Sequence, residues 1–352
     1  MDFEQNNNLS GATEPQPSGP TYGSAQGAPA ITKTPRRRSG WRIFWGIVIG
    51  LSVLVNIVLI LMLIGVVVVF AAGQRDIFAE EVIQAGPRAT KIAVITLQGI
   101  IDYEKAQDVC RQLKTARRDK RVKGLIIRVS SPGGTISGSD QIYNEILKYR
   151  REEDKPVIAF MQGIAASGGY YTSVGCDEII AEPTVITGSV GVIVGYLVLQ
   201  ELLEDKLGIQ PVIVKSGEKK DWPSSFSQPT EEQLEYIEEK LIGPAYERFV
   251  QIVADGRTSL TLADVRRLAD GSIYSAQEAL EEKLIDEIGY LDEAIELVKS
   301  LAGIEEAQVV EYRKPFSLAG FLRSQNKSIL EIDRTTLYEL GTPQVLYLWR
   351  AY

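Results

Sequence analysis

Residues 157–171 read VIAFMQGIAASGGYY, and this stretch decides the fold. Its first five residues are apolar without polar alternation, the pattern of a strand buried on both faces. The small residues from Ala165 to Gly169 make a turn, and from Tyr170 the chain reads as a helix running towards Val174. A strand that closes in such a turn and passes straight into a helix belongs to a parallel sheet, whose ligands bind at the carboxyl ends of strands. The pattern recurs on either side. Residues 92–97, 124–129, 178–181, 190–194 and 212–214 read as strands, and 139–149 and 197–207 as helices. After Lys220 the chain turns helical, with Thr230 and Gln233 forming a capping box ahead of a long helix reaching Val253. The expected domain is α/β with a helical C-terminal part.

Upstream the composition changes twice. Residues 1–35 are rich in Asn, Pro, Gly, Ser and Thr, and such a segment cannot offset its ordering entropy by burial. Together with Lys33, Arg36, Arg37, Arg38 and Arg42 it reads as a disordered cytoplasmic tail over 1–42. Residues 43–74 carry no charge and are dominated by Ile, Val and Leu. About 20 apolar residues span a bilayer, so this stretch reads as a transmembrane helix; the apolar region of a cleaved signal peptide is shorter, about 7 to 15 residues. Basic residues precede it while Arg75, Asp76, Glu80 and Glu81 follow, so the positive-inside rule keeps the tail in the cytoplasm and puts the rest outside. Residues 1–42 hold five basic and three acidic side chains, net +2, which leaves −10 of the total −8 for the remainder. An acidic exported domain argues against a nucleic-acid partner. Asn56, in the middle of the span, either hydrogen-bonds to a neighbouring copy or is tolerated at modest cost. The expected order continues with a linker over 75–89, an extracytoplasmic domain over 90–310 and a C-terminal extension over 311–352. The apolar end of that extension, 345–352, has no role legible in the sequence.

No histidine occurs among the 352 residues. Every imidazole mechanism is thereby excluded, including Ser-His-Asp and Cys-His catalysis and histidine-ligated zinc. A hydrolase with this sequence must take its base from Lys, Asp or Glu. Two cysteines, Cys110 and Cys176, are too few for a disulfide framework or a cysteine-only metal cluster and read as buried free thiols. Two glycine-rich turns follow strands. The first, RVSSPGG at 128–134, either points backbone N–H groups at a ligand or is a plain tight turn. The second sets Ser167 among small residues at a strand-to-helix turn. That suits a nucleophile whose oxyanion the N–H of Gly168 can hold, with helix capping as the competing use of the hydroxyl. Lys215, Lys219 and Lys220 cluster after the strand at 212–214. A lysine serves as base only if burial or a positive field lowers its pKa by about three units from about 10.4. Adjacent side chains in extended chain face opposite ways, so one of Lys219 and Lys220 points into the site; the pattern leaves open which.

The order and spacing of four segments, SPGG at 131–134, AASGGYY at 165–171, TGSVG at 187–191 and SGEKKD at 216–221, resemble the serine/lysine signal peptide peptidase family SppA. The likeness runs from about residue 90 to 290, including ADGSIY at 269–274 and LIDEIG at 284–289. One anchor and one catalytic domain resemble the short form of that family. The resemblance implies a crotonase/Clp-like fold in which Ser167 is the nucleophile, Lys220 the general base and Ser189 the residue that holds the lysine. Gly134 and Gly168 would supply the oxyanion-hole N–H groups. It further implies remnant signal peptides and other short or unfolded polypeptides as substrates, and no cofactor. A ring-shaped homo-oligomer is also implied, with Ser and Lys coming from adjacent protomers. Ser130 stands where relatives commonly have Asn, Lys219 where Tyr is frequent, and WPSSF at 222–226 departs from the usual loop. Two other classes share the fold: a catalytically inactive oligomeric scaffold, and an acyl-CoA enzyme using Glu. The extracytoplasmic location expected here disfavours the latter, because CoA thioesters are mainly cytoplasmic.

Overall fold

The computed structural model describes residues 40–73, 78–314 and 344–349. The expected tail lies outside them as far as residue 39, as does most of the C-terminal extension. The first helix, α1 (Gly40–Gly73), contains a 28-residue stretch, Gly40–Val67, within which an 18-residue window has a mean hydropathy of 3.1. It is long and apolar enough to cross a membrane. Asn56 Nδ2 donates to Ser52 O at 2.8 Å, so part of its amide is satisfied one turn back in the same helix.

The α/β domain opens with β1 (Ala79–Gln84), β2 (Lys91–Gln98), α2 (Tyr103–Arg118), β3 (Val122–Ser131), β4 (Gly133–Thr135) and α3 (Ile136–Glu153). Then come β5 (Val157–Ala166), α4 (Gly168–Ser173), β6 (Glu178–Ala181), β7 (Ile186–Gly188) and β8 (Ile193–Gly195). The helical part holds α5 (Glu231–Ile237), α6 (Gly243–Gly256) and α7 (Leu262–Leu268). It is followed by β9 (Ile273–Ser275), α8 (Ala276–Glu281), β10 (Glu287–Ile288), α9 (Leu291–Ala302), β11 (Gln308–Arg313) and β12 (Gln344–Leu348).

The main sheet has the order β1-β11-β2-β3-β5-β6-β10, with β7 joining β5 and β9 joining β7 off this path; its pairs are parallel except β1 with β11 and β7 with β9. The continuous apolar runs of its central strands are explained by burial on both faces. On one face Ile95, Leu97, Leu125 and Ile127 join Val109, Leu113, Ile142, Ile146 and Phe249 of α2, α3 and α6. On the other, Ile92, Val94, Ile126 and Phe160 meet Ile295 and Val298 of α9. Each such side chain contributes roughly 1.5–3 kcal/mol. Cys110 and Cys176 are buried free thiols; burial pushes both up, Cys110 to about 11, which leaves them unreactive.

Several elements differ from the sequence pattern for identifiable reasons. The capping box of Thr230 and Gln233 is present, but the helix it starts does not run unbroken to Val253. A π-helical turn, Glu238–Ile242, separates α5 from α6, where Pro244 sits in the first turn of α6. Proline lacks an N–H and tolerates only a helix start. The strand expected at 190–194 is reduced to β8. The strand expected at 212–214 does not form: Val212 and Val214 are 86% and 94% exposed, and a strand needs an edge to bond to. The helix expected at 197–207 is reduced to one π-helical turn, Leu202–Lys206, that buries no side chain; without packing, so short a helix has little to hold it.

A second sheet orders β4-β12-β8, all antiparallel. It brings part of the C-terminal extension against the first glycine-rich turn.

Candidate active site

The site begins where β5 ends. Ala166 of β5 faces Gly188 of β7, and Ser167 N donates to Gly188 O at 2.8 Å. The residues just past this rung, Ser167 and Ser189, have φ of 54° and 51°. A positive φ costs a non-glycine residue on the order of 1 kcal/mol or more, and such strain collects at functional sites. Bonds behind the turn hold it. Tyr171 N donates to Ser167 O at 2.8 Å and Ser189 N to Ser272 O at 2.7 Å; Thr187 Oγ1 donates to Ala165 O at 2.7 Å. Tyr170 OH donates to Leu284 O at 2.9 Å. Ser167 precedes α4, yet its hydroxyl makes no capping bond. Helix capping therefore does not account for the serine.

The glycine-rich turn after β3 approaches from the opposite side. A Cβ added to Gly168 would lie 2.5 Å from Ser139 Oγ and 3.1 Å from Gly133 Cα, so only glycine lets the two turns touch. Gly133 has a φ of 101°, open to glycine alone. Ile101 N donates to Gly133 O at 2.9 Å, and Thr135 N donates to Ile101 O at 2.8 Å. Backbone groups alternate along extended chain, so the N–H of Gly134 turns to the other edge, the edge taken by β12. Ser167, Ser189, Gly134 and Gly168 are thus gathered at one place.

Lys220 lies on a separate segment, a single 3-10 turn at Glu218–Asp221. It is exposed, whereas Ser167 is 1% exposed. The neighbouring lysines are both engaged. Lys215 Nζ donates to Asp221 Oδ1 at 2.7 Å and to Glu218 O at 3.0 Å. Lys219 Nζ stands 5.0 Å and 4.9 Å from the ring centres of Trp222 and Tyr236, and 3.5 Å from Glu232 Oε1. Among the described residues, no hydrogen bond or ion pair occupies the ammonium of Lys220. Within this chain the ammonium of Lys220 makes no hydrogen bond to Ser167.

Two features escaped the sequence. Tyr171 OH donates to Asp140 Oδ1 at 2.6 Å, and Arg248 Nη2 to the same oxygen at 3.2 Å. Burial, reinforced by the carboxylate of Asp140, pushes the Tyr171 phenol up and keeps it a neutral donor. Asp140 and Arg248 are polar positions on amphipathic helices, which sequence reading assigns to solvent. The other is Tyr347 of β12, whose carbonyl oxygen stands 3.1 Å from the Cβ position of Gly168. No sequence signal joins residue 347 to this turn.

The Clp protease family model matches residues 79–179 and the Peptidase family S49 model residues 149–305. A protein of Enterococcus faecium that bears the name signal peptide peptidase SppA is 38% identical over 252 residues, 68% of this chain and 72% of its own. A Synechocystis protein named as a protease is 38% identical over 272 residues, 74% of this chain and 96% of its own. The chloroplastic serine protease SPPA of Arabidopsis thaliana is 32% identical over 65% of this chain, which spans 34% of that protein. The chain belongs to the S49 family of serine peptidases, the family of signal peptide peptidase SppA.

Proposed function

We propose that this protein is a membrane-anchored endopeptidase that cuts peptide bonds with a Ser167–Lys220 dyad. The observation that carries the reading is the convergence of strained Ser167 with Gly168 and the Gly133–Gly134 turn. Ser167 Oγ attacks the substrate carbonyl carbon as its proton passes to Lys220 Nζ. The N–H groups of Gly134 and Gly168 receive the oxyanion, each such donor contributing about 3 kcal/mol. The lysine passes its proton to the leaving amine, and water, with the same lysine as base, frees the acyl group from Ser167. Ser189, one residue past the rung that carries Ser167, orients the lysine.

Lys220 of one protomer serves Ser167 of its neighbour in a ring-shaped homo-oligomer. Two features support this: Lys220 is exposed in its own chain, and the segment before it presents Val212 and Val214 almost wholly to solvent. Apolar side chains left out in this way mark an interaction surface. α1 anchors the enzyme, with residues 1–42 in the cytoplasm by the charge rule and the catalytic domain on the outer face. There it hydrolyses remnant signal peptides and other short or unfolded polypeptides, in keeping with the name borne by the Enterococcus relative. Detergent-solubilised full-length protein is expected to cleave a fluorogenic unfolded peptide, and the Ser167→Ala protein to leave it intact. Equal cleavage by both would overturn the assignment.

A further inference from the structure

The segment ADGSIY, residues 269–274, supplies no group to the dyad or to the oxyanion, yet it bonds to the peptide unit between Gly188 and Ser189. The carbonyl and the N–H of one planar, trans unit point in opposite directions. On one side Gly188 O accepts Ser167 N at 2.8 Å; on the other Ser189 N donates to Ser272 O at 2.7 Å. Close by, Gly271 N donates to Val190 O at 3.2 Å, so the two segments are bonded in both directions. The nucleophile and the serine assigned to the lysine therefore share one peptide unit, and Ser272 grips that unit. Both serines have positive φ, 54° and 51°, a conformation that persists only where the surroundings over-determine it.

Ser272 is itself held by a side chain. Asp270 Oδ1 accepts Ser272 N at 2.9 Å and closes an Asx turn, with Gly271 between them at a φ of 88°. Bonds from Ser272 hold the Asp270 carboxyl below the usual carboxylate range, so at neutral pH it is ionised and only accepts. The ends of the loop are pinned as well. Tyr274 faces Thr187 of β7, and its hydroxyl donates to Leu268 O at 3.2 Å. Asp270 is exposed, a kind of position at which substitution ordinarily changes little. Here its carboxylate begins a chain of bonds that ends at the amide of Ser167.

Resting on the Ser167 protease reading, we propose that Asp270 is a positioning residue: through Ser272 it fixes the peptide unit between Gly188 and Ser189, and with it both the nucleophile and the serine that orients the lysine. Without the carboxylate the Ser272 carbonyl is free to turn, Ser189 can leave its strained conformation, and its hydroxyl moves away from the lysine.

The test compares full-length protein in detergent with its Asp270→Ala and Asp270→Asn variants, and with Asp264→Ala as a control. Asp264 also accepts a backbone N–H, from Thr261 at 3.0 Å, but in the cap of α7. On a fluorogenic unfolded peptide Asp270→Ala is expected to lower kcat about tenfold while KM changes less than about twofold, because the clamp touches no substrate. Asp270→Asn, whose side-chain oxygen can close the same turn, is expected to recover to within about threefold of wild type. Asp264→Ala should stay within about twofold. Amide exchange over residues 187–191, read by mass spectrometry, is expected to quicken at least about fivefold in Asp270→Ala alone. An unchanged kcat in Asp270→Ala, a loss confined to KM, or an equal loss in Asp264→Ala would overturn the proposal. The exchange measurement separates the clamp from the protease reading. Unchanged exchange beside an active wild-type enzyme removes the clamp and leaves the dyad; quickened exchange in a protein whose wild type cleaves nothing keeps the clamp and removes the dyad.

Discussion

Ser167 is held by its backbone, not by its hydroxyl, and the lysines near the proposed base are told apart by aromatic rings. Trp222 and Tyr236 take Lys219, and Asp221 takes Lys215, which is what favours Lys220 in the proposed dyad. Lys220→Met is expected to lower kcat/KM at least about 100-fold and Lys219→Met less than about tenfold; steady-state kinetics on one peptide decides, and the reverse order would mean the base is misassigned. A surface carboxylate gives a second expectation at this scale. Asp119 is held at about 2, chiefly by its bonds to Arg121 and also by Lys91. A depressed carboxyl stabilises the fold above its unfolded value of about 3.9, and that stability is lost as the pH falls through about 2. Asp119→Asn is therefore expected to cost about 1 kcal/mol at pH 7, discounted because Arg121 is half exposed, and almost nothing at pH 2. Chemical denaturation at the two pH values checks it. Ser167 and the glycines around it were legible in the sequence, because a strand-to-helix turn of small residues restricts what can occur there. The engagement of Lys219 was not, because it depends on Tyr236, a residue on another element.

Among elements, β2, β3, β5 and β6 were legible as unbroken apolar runs, since burial on both faces leaves no room for polar alternation. The break before α6 could have been read from Gly243-Pro244, and the amphipathic pattern around it concealed it. The strand at 212–214 has strand composition but no neighbouring edge within its own chain, and composition does not report partners. The turn behind Ser167 depends on one contact that sequence could not supply. Arg257 reaches Asp286 with two bonds of 2.7 Å, and Asp286 accepts Ile179 N at 2.8 Å. This ties α6 to β6 and to the loop whose Leu284 carbonyl receives Tyr170. Arg257 is only 6% exposed, and removing one member of a buried pair strands the other. Asp286→Ala is expected to cost about 3 kcal/mol, seen as a lower midpoint in thermal unfolding. A change below about 0.5 kcal/mol, the size of an ordinary surface substitution, would show that the pair does not brace the turn.

At the scale of the whole molecule, the histidine-free composition, the apolar helix and the exposed apolar segment before Lys220 fit one plan. A serine peptidase with the proposed Lys220 base would need no imidazole, and that base, exposed in its own chain, would under the proposal be brought to Ser167 by a second copy. Mixing inactive Ser167→Ala with inactive Lys220→Ala protein is expected to restore up to about a quarter of wild-type activity. In a random mixture that fraction of interfaces pairs an intact serine with an intact lysine. Persistent inactivity of the mixture, with subunit exchange shown by differently tagged copies, would confine the dyad to one chain. The most direct measurement of the chemistry itself is peptide mapping after treatment with a serine-acylating fluorophosphonate. The expected result is a single modified serine, Ser167, labelled in the wild-type protein and at least about 100-fold more slowly in Lys220→Ala. Modification at another serine, or undiminished labelling without Lys220, would contradict the dyad.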